Sequence, residues 1–215
     1  MLRKILSFAL TLVLFSGVAF AQDFNANALN RKEVKKLEKS AKKEAKKLAK
    51  DGWKVAPGAL TLEAQLTRSY KMLQEVDENY YPKFVMAEAM SVGKNYDAAK
   101  SQALELAKQN LAGQLQTEIT ALIQNTVANE QLEAEEAESI VETVIASKNK
   151  ISQSLGRVIV VTESYRTLSN KNKEVLVRVA YLAETAKQQA VNVIKKELKN
   201  KGDKLHEQLD SMMGL

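Results

Sequence analysis

One histidine and no cysteine occur in the 215 residues, which removes most routes to a protein nucleophile or a metal site. A Ser-His-Asp or Cys-His system would have to recruit His206, which lies past a Gly202-Asp203 break close to the C-terminus. The chain has no H-E-x-x-H, no C-x-x-C, no phosphate-cradling G-x-x-x-x-G-K-[ST] and no G-x-G-x-x-G. Carboxylates are plentiful, and the densest set is Glu130, Glu133, Glu135, Glu136, Glu138 and Glu142. They fall in the first turns of an expected helix, where each gains about 0.3–1 kcal/mol from the helix dipole. Calcium wants several oxygens converging from a loop, not a row along a helix, so these acids read as a solvated helix start. No catalytic, cofactor-binding or metal-ligating residue is assigned. The expectation is a protein that is not an enzyme.

Two other charged groups stand out. Glu88 and Arg178 each sit mid-strand in apolar surroundings, and they can pair if the two strands are neighbours. An exposed cross-strand pair contributes about 0.2–1 kcal/mol. Such a pair either faces a ligand or points to solvent from an uncovered sheet face, and the second is expected. The other group is the run RKEVKKLEKSAKKEAKKLAK, residues 31–50, with ten Lys or Arg against three Glu. The overall formal charge of +6 is concentrated there, because residues 51–215 carry 20 basic and 22 acidic side chains. Lys35, Lys36, Lys39, Lys42, Lys43, Lys46 and Lys47 are the candidate contacts for an anionic surface. The apolar residues of the run, Val34, Leu37, Ala41, Ala45 and Leu48, form one narrow helical stripe. With no Trp or Phe and little Leu, that stripe suits surface binding better than deep membrane insertion. A solvating helix, packed on its own domain or on another copy, is an equal alternative.

The elements that must position these residues follow from periodicity. Arg3 and Lys4, the apolar stretch Ile5–Phe15 and the A-x-A ending at Ala21 describe a cleaved export signal over residues 1–21. Its apolar stretch is shorter than the ~20 residues that span a bilayer, and nothing later in the chain is apolar enough. Export to the periplasm or cell envelope is expected, which makes nucleic acid an unlikely partner. Residues 22–30 have turn-forming composition, and Asp51-Gly52 stops the basic helix. Trp53–Gly58 reads as a link, so that 22–60 forms a basic helix and linker that projects from the domain. A helix capped by Thr61, with Leu62, Leu66, Tyr70 and Leu73 on one face, should run to Tyr80-Tyr81 before Pro82.

Residues 83–92 alternate as a strand, with Val85, Ala87, Ala89 and Ser91 forming a small-residue face. Gly93 ends it. The helix from Tyr96 to about Val127 is rich in alanine along its inward side, which suits close approach to that face. A further helix over 130–148 precedes the strongest β signal, Val158–Val161 and Val175–Tyr181 joined by the polar turn Ser169–Lys173. A helix from Glu184 to about Asn200 follows, then a short tail over 202–215 with Leu205, Leu209 and Met212. Residues 61–201 therefore make an α+β domain: a small antiparallel sheet of about three strands, helices on one face, preceded by N-terminal helices.

The segments MAEAMSVGKNYDAAKSQALELAKQNLA (86–112) and LGRVIVVTESYRTLSNKNKEVLVRVAYL (155–182) resemble the LPP-twenty-type envelope lipoproteins. That fold also recurs in the N-terminal part of a flagellar T-ring protein. The resemblance covers roughly half the chain and implies an envelope location and a binding or assembly role, with no residue-level site and no cofactor. This chain departs from the family in lacking the lipidation cysteine, so no lipid anchor of that kind is expected. The sequence thus points to a non-enzymatic envelope protein that binds an anionic envelope component or another envelope protein. A homo-oligomeric structural component is the alternative, and a carboxylate enzyme of unfamiliar type the remote one.

Overall fold

The computed structural model describes residues 30–128, 133–201 and 209. The export signal, residues 22–29, Glu130, His206 and most of the 202–215 tail lie outside the described residues. Nine elements follow in chain order: α1 Arg31–Lys50, α2 Leu62–Leu73, β1 Phe84–Gly93, α3 Tyr96–Ala128, α4 Ala134–Ala146, α5 Lys148–Ser154, β2 Ile159–Thr167, β3 Lys173–Leu182 and α6 Ala183–Asn200. The class is α+β, as the periodicity predicts.

The sheet is antiparallel with order β1-β3-β2. The Val-rich hairpin forms as expected, and β1 joins its inner strand from the other side, so β3 is central. In this arrangement alternate residues of β3 face opposite layers. Val175, Val177 and Val179, all fully buried, face the main core, where Leu111, Leu115, Ile119, Ile140, Ile151 and Ile194 are also buried. Ala99, Ala103 and Ala107 on α3 are fully buried too, and their small side chains bring the helix against the Val85/Ala87/Ala89/Ser91 side of β1. The approach is closest at Gly93, where an added Cβ would lie 2.8 Å from the Ala99 backbone nitrogen. Backbone cannot yield as a flexible side chain can. Gly93→Ala is expected to lower stability by about 2 kcal/mol, in the range of overpacked cores, as read from urea unfolding. An unchanged midpoint would show that the strand-to-helix corner relaxes freely.

Helix α3 also closes the outer edge of β1. Asn110 Nδ2 donates to the Glu88 carbonyl at 2.9 Å and Gln114 Nε2 to the Met86 carbonyl at 3.0 Å. These carbonyls face away from β3, where an edge strand ordinarily offers itself to another chain. At the opposite edge, Lys54 from the link exchanges both backbone hydrogen bonds with Tyr165 at 2.8 Å.

Several details depart from the sequence reading. Helix α2 stops at Leu73, not Tyr80-Tyr81. Residues 76–82 instead close a small hairpin, with Val76 bridged to Pro82 and Lys83 N bonded to Glu75 O. Local turn chemistry at Asp77, whose Oδ1 accepts from the amides of Asn79 and Tyr81, outweighs helix continuation. The helix expected over 130–148 breaks at Ser147, whose Oγ bonds the Thr143 carbonyl at 2.7 Å, and α5 sets off from there. Strand β2 runs on to Thr167 through polar residues and carries a bulge, its register slipping between Val160 and Thr162.

Coverage of the sheet and the place of α1 differ as well. The sheet's second face is not bare, because α2 lies over it: Met72, Val161 and Ala180 are buried together, with Phe84 and Met86 against them. Gln65 on α2 accepts from the Glu163 amide at 2.7 Å. Nor does the 31–50 helix project. It packs on the outside of α2, where Ala41, Ala45 and Leu66 are buried beside Leu48, Leu62 and Tyr70. Alanines in the stripe let the helices approach closely enough to close this seam. The boundary drawn at residue 60 therefore does not separate two packing units.

Candidate functional site

The charged face of α1 is built from its ends inward. Asn30 caps the helix, accepting from the amides of Lys32 and Glu33 while Glu33 accepts from the Asn30 amide. At the other end Gly52, with φ of 84°, allows the left-handed residue that lets Gly52 N and Trp53 N reach back to the Ala49 and Leu48 carbonyls. Between the caps the charges are sorted by sign. At about 100° per residue, the ten basic residues all fall within an arc of about 160°, opposite the buried stripe. All seven predicted lysines are exposed. Among the described residues, none of the seven forms an ion pair.

The three acids lie outside this arc, and each has a partner in the protein. Glu33 is held by the N-cap. Glu38 lies 3.6 Å from Lys71 of α2. Glu44 accepts from the Tyr70 hydroxyl and lies 3.8 Å from the Arg178 guanidinium.

Glu44 thereby belongs to the same cluster as the predicted polar pair. Glu88 and Arg178 are directly opposed in the β1–β3 register. Arg178 donates from Nη2 and Nε to Glu88 Oε2, at 2.7 and 3.0 Å, and from Nη1 to Ser69 Oγ at 3.0 Å. The expectation that both would point to solvent is corrected for Arg178, whose side chain is only 17% exposed, because α2 covers it. One guanidinium thus ties together β1, β3, α2 and α1. It holds the lysine-bearing helix on the domain. Burial pushes the Glu44 carboxyl above the usual glutamate range; Arg178 opposes this, Glu88 adds to it, and Lys47 opposes it.

That shift has a sign. A glutamate whose folded pKa is raised stabilises the fold most below the unfolded value of about 4.3. The contribution is lost as pH climbs through the raised folded value. Glu44→Gln should therefore flatten the decline of stability between the unfolded value and the raised folded one, and cost no more than about 1 kcal/mol in acid. Melting temperatures across that range check this, and a decline as steep as the parent's would exclude Glu44 as a contributor.

A second cluster has no local sequence signal. Tyr96 and Lys100, one turn apart on α3, reach Glu163 of β2: the tyrosine hydroxyl donates to Oε1 and Lys100 Nζ lies 2.9 Å from Oε2. Tyr96 also meets Tyr165 edge to face, ring centroids 5.2 Å apart. Burial raises the Glu163 carboxyl. Both its oxygens are taken up by the protein's own groups, an arrangement that joins α3 to β2. Glu133 stands at the N-cap of α4 and Glu135 and Glu136 in its first turn, while Glu138 and Glu142 lie further along the helix; Glu133, Glu135, Glu138 and Glu142 are exposed. No group of three or more His, Cys, Asp or Glu among the described residues is arranged to hold a metal ion.

No family model, curated protein or solved structure matches the chain. Function has to be argued from the charge geometry itself. Among the described residues, no helix is long and apolar enough to cross a membrane.

Proposed function

We propose that this chain is a non-enzymatic protein of the bacterial cell envelope, exported with cleavage after Ala21, that attaches peripherally to an anionic component through the outer face of α1. One observation carries the reading: all ten basic residues of that helix share one arc opposite the buried stripe, while its three acids lie outside that arc, each with a partner of its own in the protein. A helix that merely kept the domain in solution would gain from mixed charges, because glutamates interspersed with lysines relieve repulsion. Here the repulsion is retained. The apolar stripe is already used against α2, so contact is electrostatic rather than by insertion. The resemblance to envelope lipoproteins supports the location; with no cysteine to carry a lipid, a charged face would supply the attachment.

Fractionation of the host envelope with rising salt tests this. Retention at low ionic strength that disappears as the Debye length shrinks from ~10 Å at 0.1 M toward ~3 Å at 1 M is the expected result. Because deleting residues 31–50 would uncover α2, the matching variant neutralises lysines and leaves the helix in place. A protein found free at low salt would end the proposal. Homo-oligomeric assembly is the weaker reading. Met90 and Val92 are exposed on the sheet, but the β1 edge is engaged by Asn110 and Gln114 and the β2 edge by Lys54.

A further inference from the structure

The hairpin between α2 and β1 carries its own oddity. In a three-residue hairpin loop the last residue adopts a left-handed conformation, a position ordinarily given to glycine or asparagine. Here Asp77 and Tyr81 form the base, with Asp77 N donating to Tyr81 O at 2.8 Å. The left-handed position is held by Tyr80, with φ of 65°. A bulky residue there is strained, and it receives no packing in return: Tyr80 is 62% exposed and Tyr81 69%. Strain kept at an exposed site points to a use for the side chain. Asp77 holds the turn by accepting from the Asn79 and Tyr81 amides, so the two rings are presented on a fixed tip.

The tip follows the end of α2 that meets α1. The Glu38–Lys71 pair sets the C-terminal end of α2 beside the N-terminal half of α1, and the hairpin closes immediately beyond, at Glu75. Tyrosine favours the boundary of a bilayer, with its ring toward the acyl chains and its hydroxyl among headgroups, and lysines favour anionic headgroups. A convex helix face also suits a surface better than it suits a single polymer strand, which is tracked by a groove.

We infer that Tyr80 and Tyr81 form a second contact, dipping into the interfacial layer of an anionic lipid bilayer while the lysines of α1 lie over its headgroups. This rests on the attachment proposed above and names its partner. The test uses the chain from Gln22 onward and sedimentation with vesicles of mixed phosphatidylglycerol and phosphatidylcholine. Binding of the parent at low salt is expected. Tyr80→Gly with Tyr81→Ser should weaken it about tenfold while melting no lower than the parent, since glycine relieves the strained φ. If the double variant melts lower, Tyr80→Gly alone decides, through the same loss of binding. Parental binding by the tyrosine variants would overturn the inference and leave the lysine reading standing. A parent that ignores vesicles but sediments with purified wall polymer would overturn the bilayer as partner and keep the charged attachment. Binding to neither would overturn both.

Discussion

Changing Lys35, Lys39, Lys42 and Lys46 together to glutamine is expected to weaken low-salt binding to anionic membranes by about a thousandfold. These four lie side by side in one half of the charged arc. Near an anionic surface each lysine contributes about 1 kcal/mol, and about 1.4 kcal/mol is a factor of ten. The same change should leave the melting temperature within a degree or two of the parent. All four are exposed, none makes an ion pair among the described residues, and glutamine is nearly as good a helix former as lysine. Loss of binding without loss of fold separates attachment from stability. Equal replacement of basic residues elsewhere, Lys187 and Lys195 for example, controls for net charge. Undiminished binding by the quadruple variant would remove α1 as the attachment face.

Arg178→Ala is expected to cost about 3 kcal/mol at neutral pH, most of it from what the arginine leaves behind. Its guanidinium serves Glu88, Ser69 and Glu44 at once. Removing one partner of a part-buried charged group is more damaging than losing an exposed pair, and here two carboxylates are left facing each other. Glu88 is 42% exposed and Glu44 33% exposed, which keeps the figure below that of a fully buried pair. Acid should rescue the variant. Without the cation the Glu44 carboxyl holds its proton more readily, so the deficit shrinks as pH falls toward the ordinary glutamate range. A deficit that is the same at pH 4 and pH 7 would assign the loss to the packing of the arginine stem instead. Arg178→Lys should fall between, since an ammonium keeps the charge and loses the fork that reaches three partners.

Much of this arrangement is legible from local pattern. Ala41, Ala45 and Leu48 of the predicted stripe line the contact with α2, and the alanine-rich side of α3 meets the small-residue side of β1, because both follow from periodicity alone. The lysine arc is equally a property of spacing. What escapes is settled by pairs far apart in sequence. Nothing local distinguishes Glu44 from Glu33 or Glu38, yet it reaches an arginine 134 positions away. Tyr96 and Lys100 look like an ordinary helix start until Glu163, 67 residues on from Tyr96, is brought between them. The premature end of α2 and the break at Ser147 are decided by single side chains capturing backbone groups. There the hydrophobic pattern, read over whole turns, is blind. The docking of α1 turned on whether so narrow an apolar stripe could meet a partner, and that depended on Leu66 and Tyr70 standing opposite.

The C-terminal cap of α1 places the chain's one tryptophan at the seam. Trp53 is 7% exposed, and the Arg166 side chain of β2 lies over its ring at 4.8 Å. The next residue, Lys54, is bridged to Tyr165. Any parting of the lysine helix from the sheet would strip the indole of that cover and bring water to it. The protein therefore carries a built-in optical gauge. Its emission colour tells, without any label, whether the helix meets its target while still seated on the domain or only after leaving it.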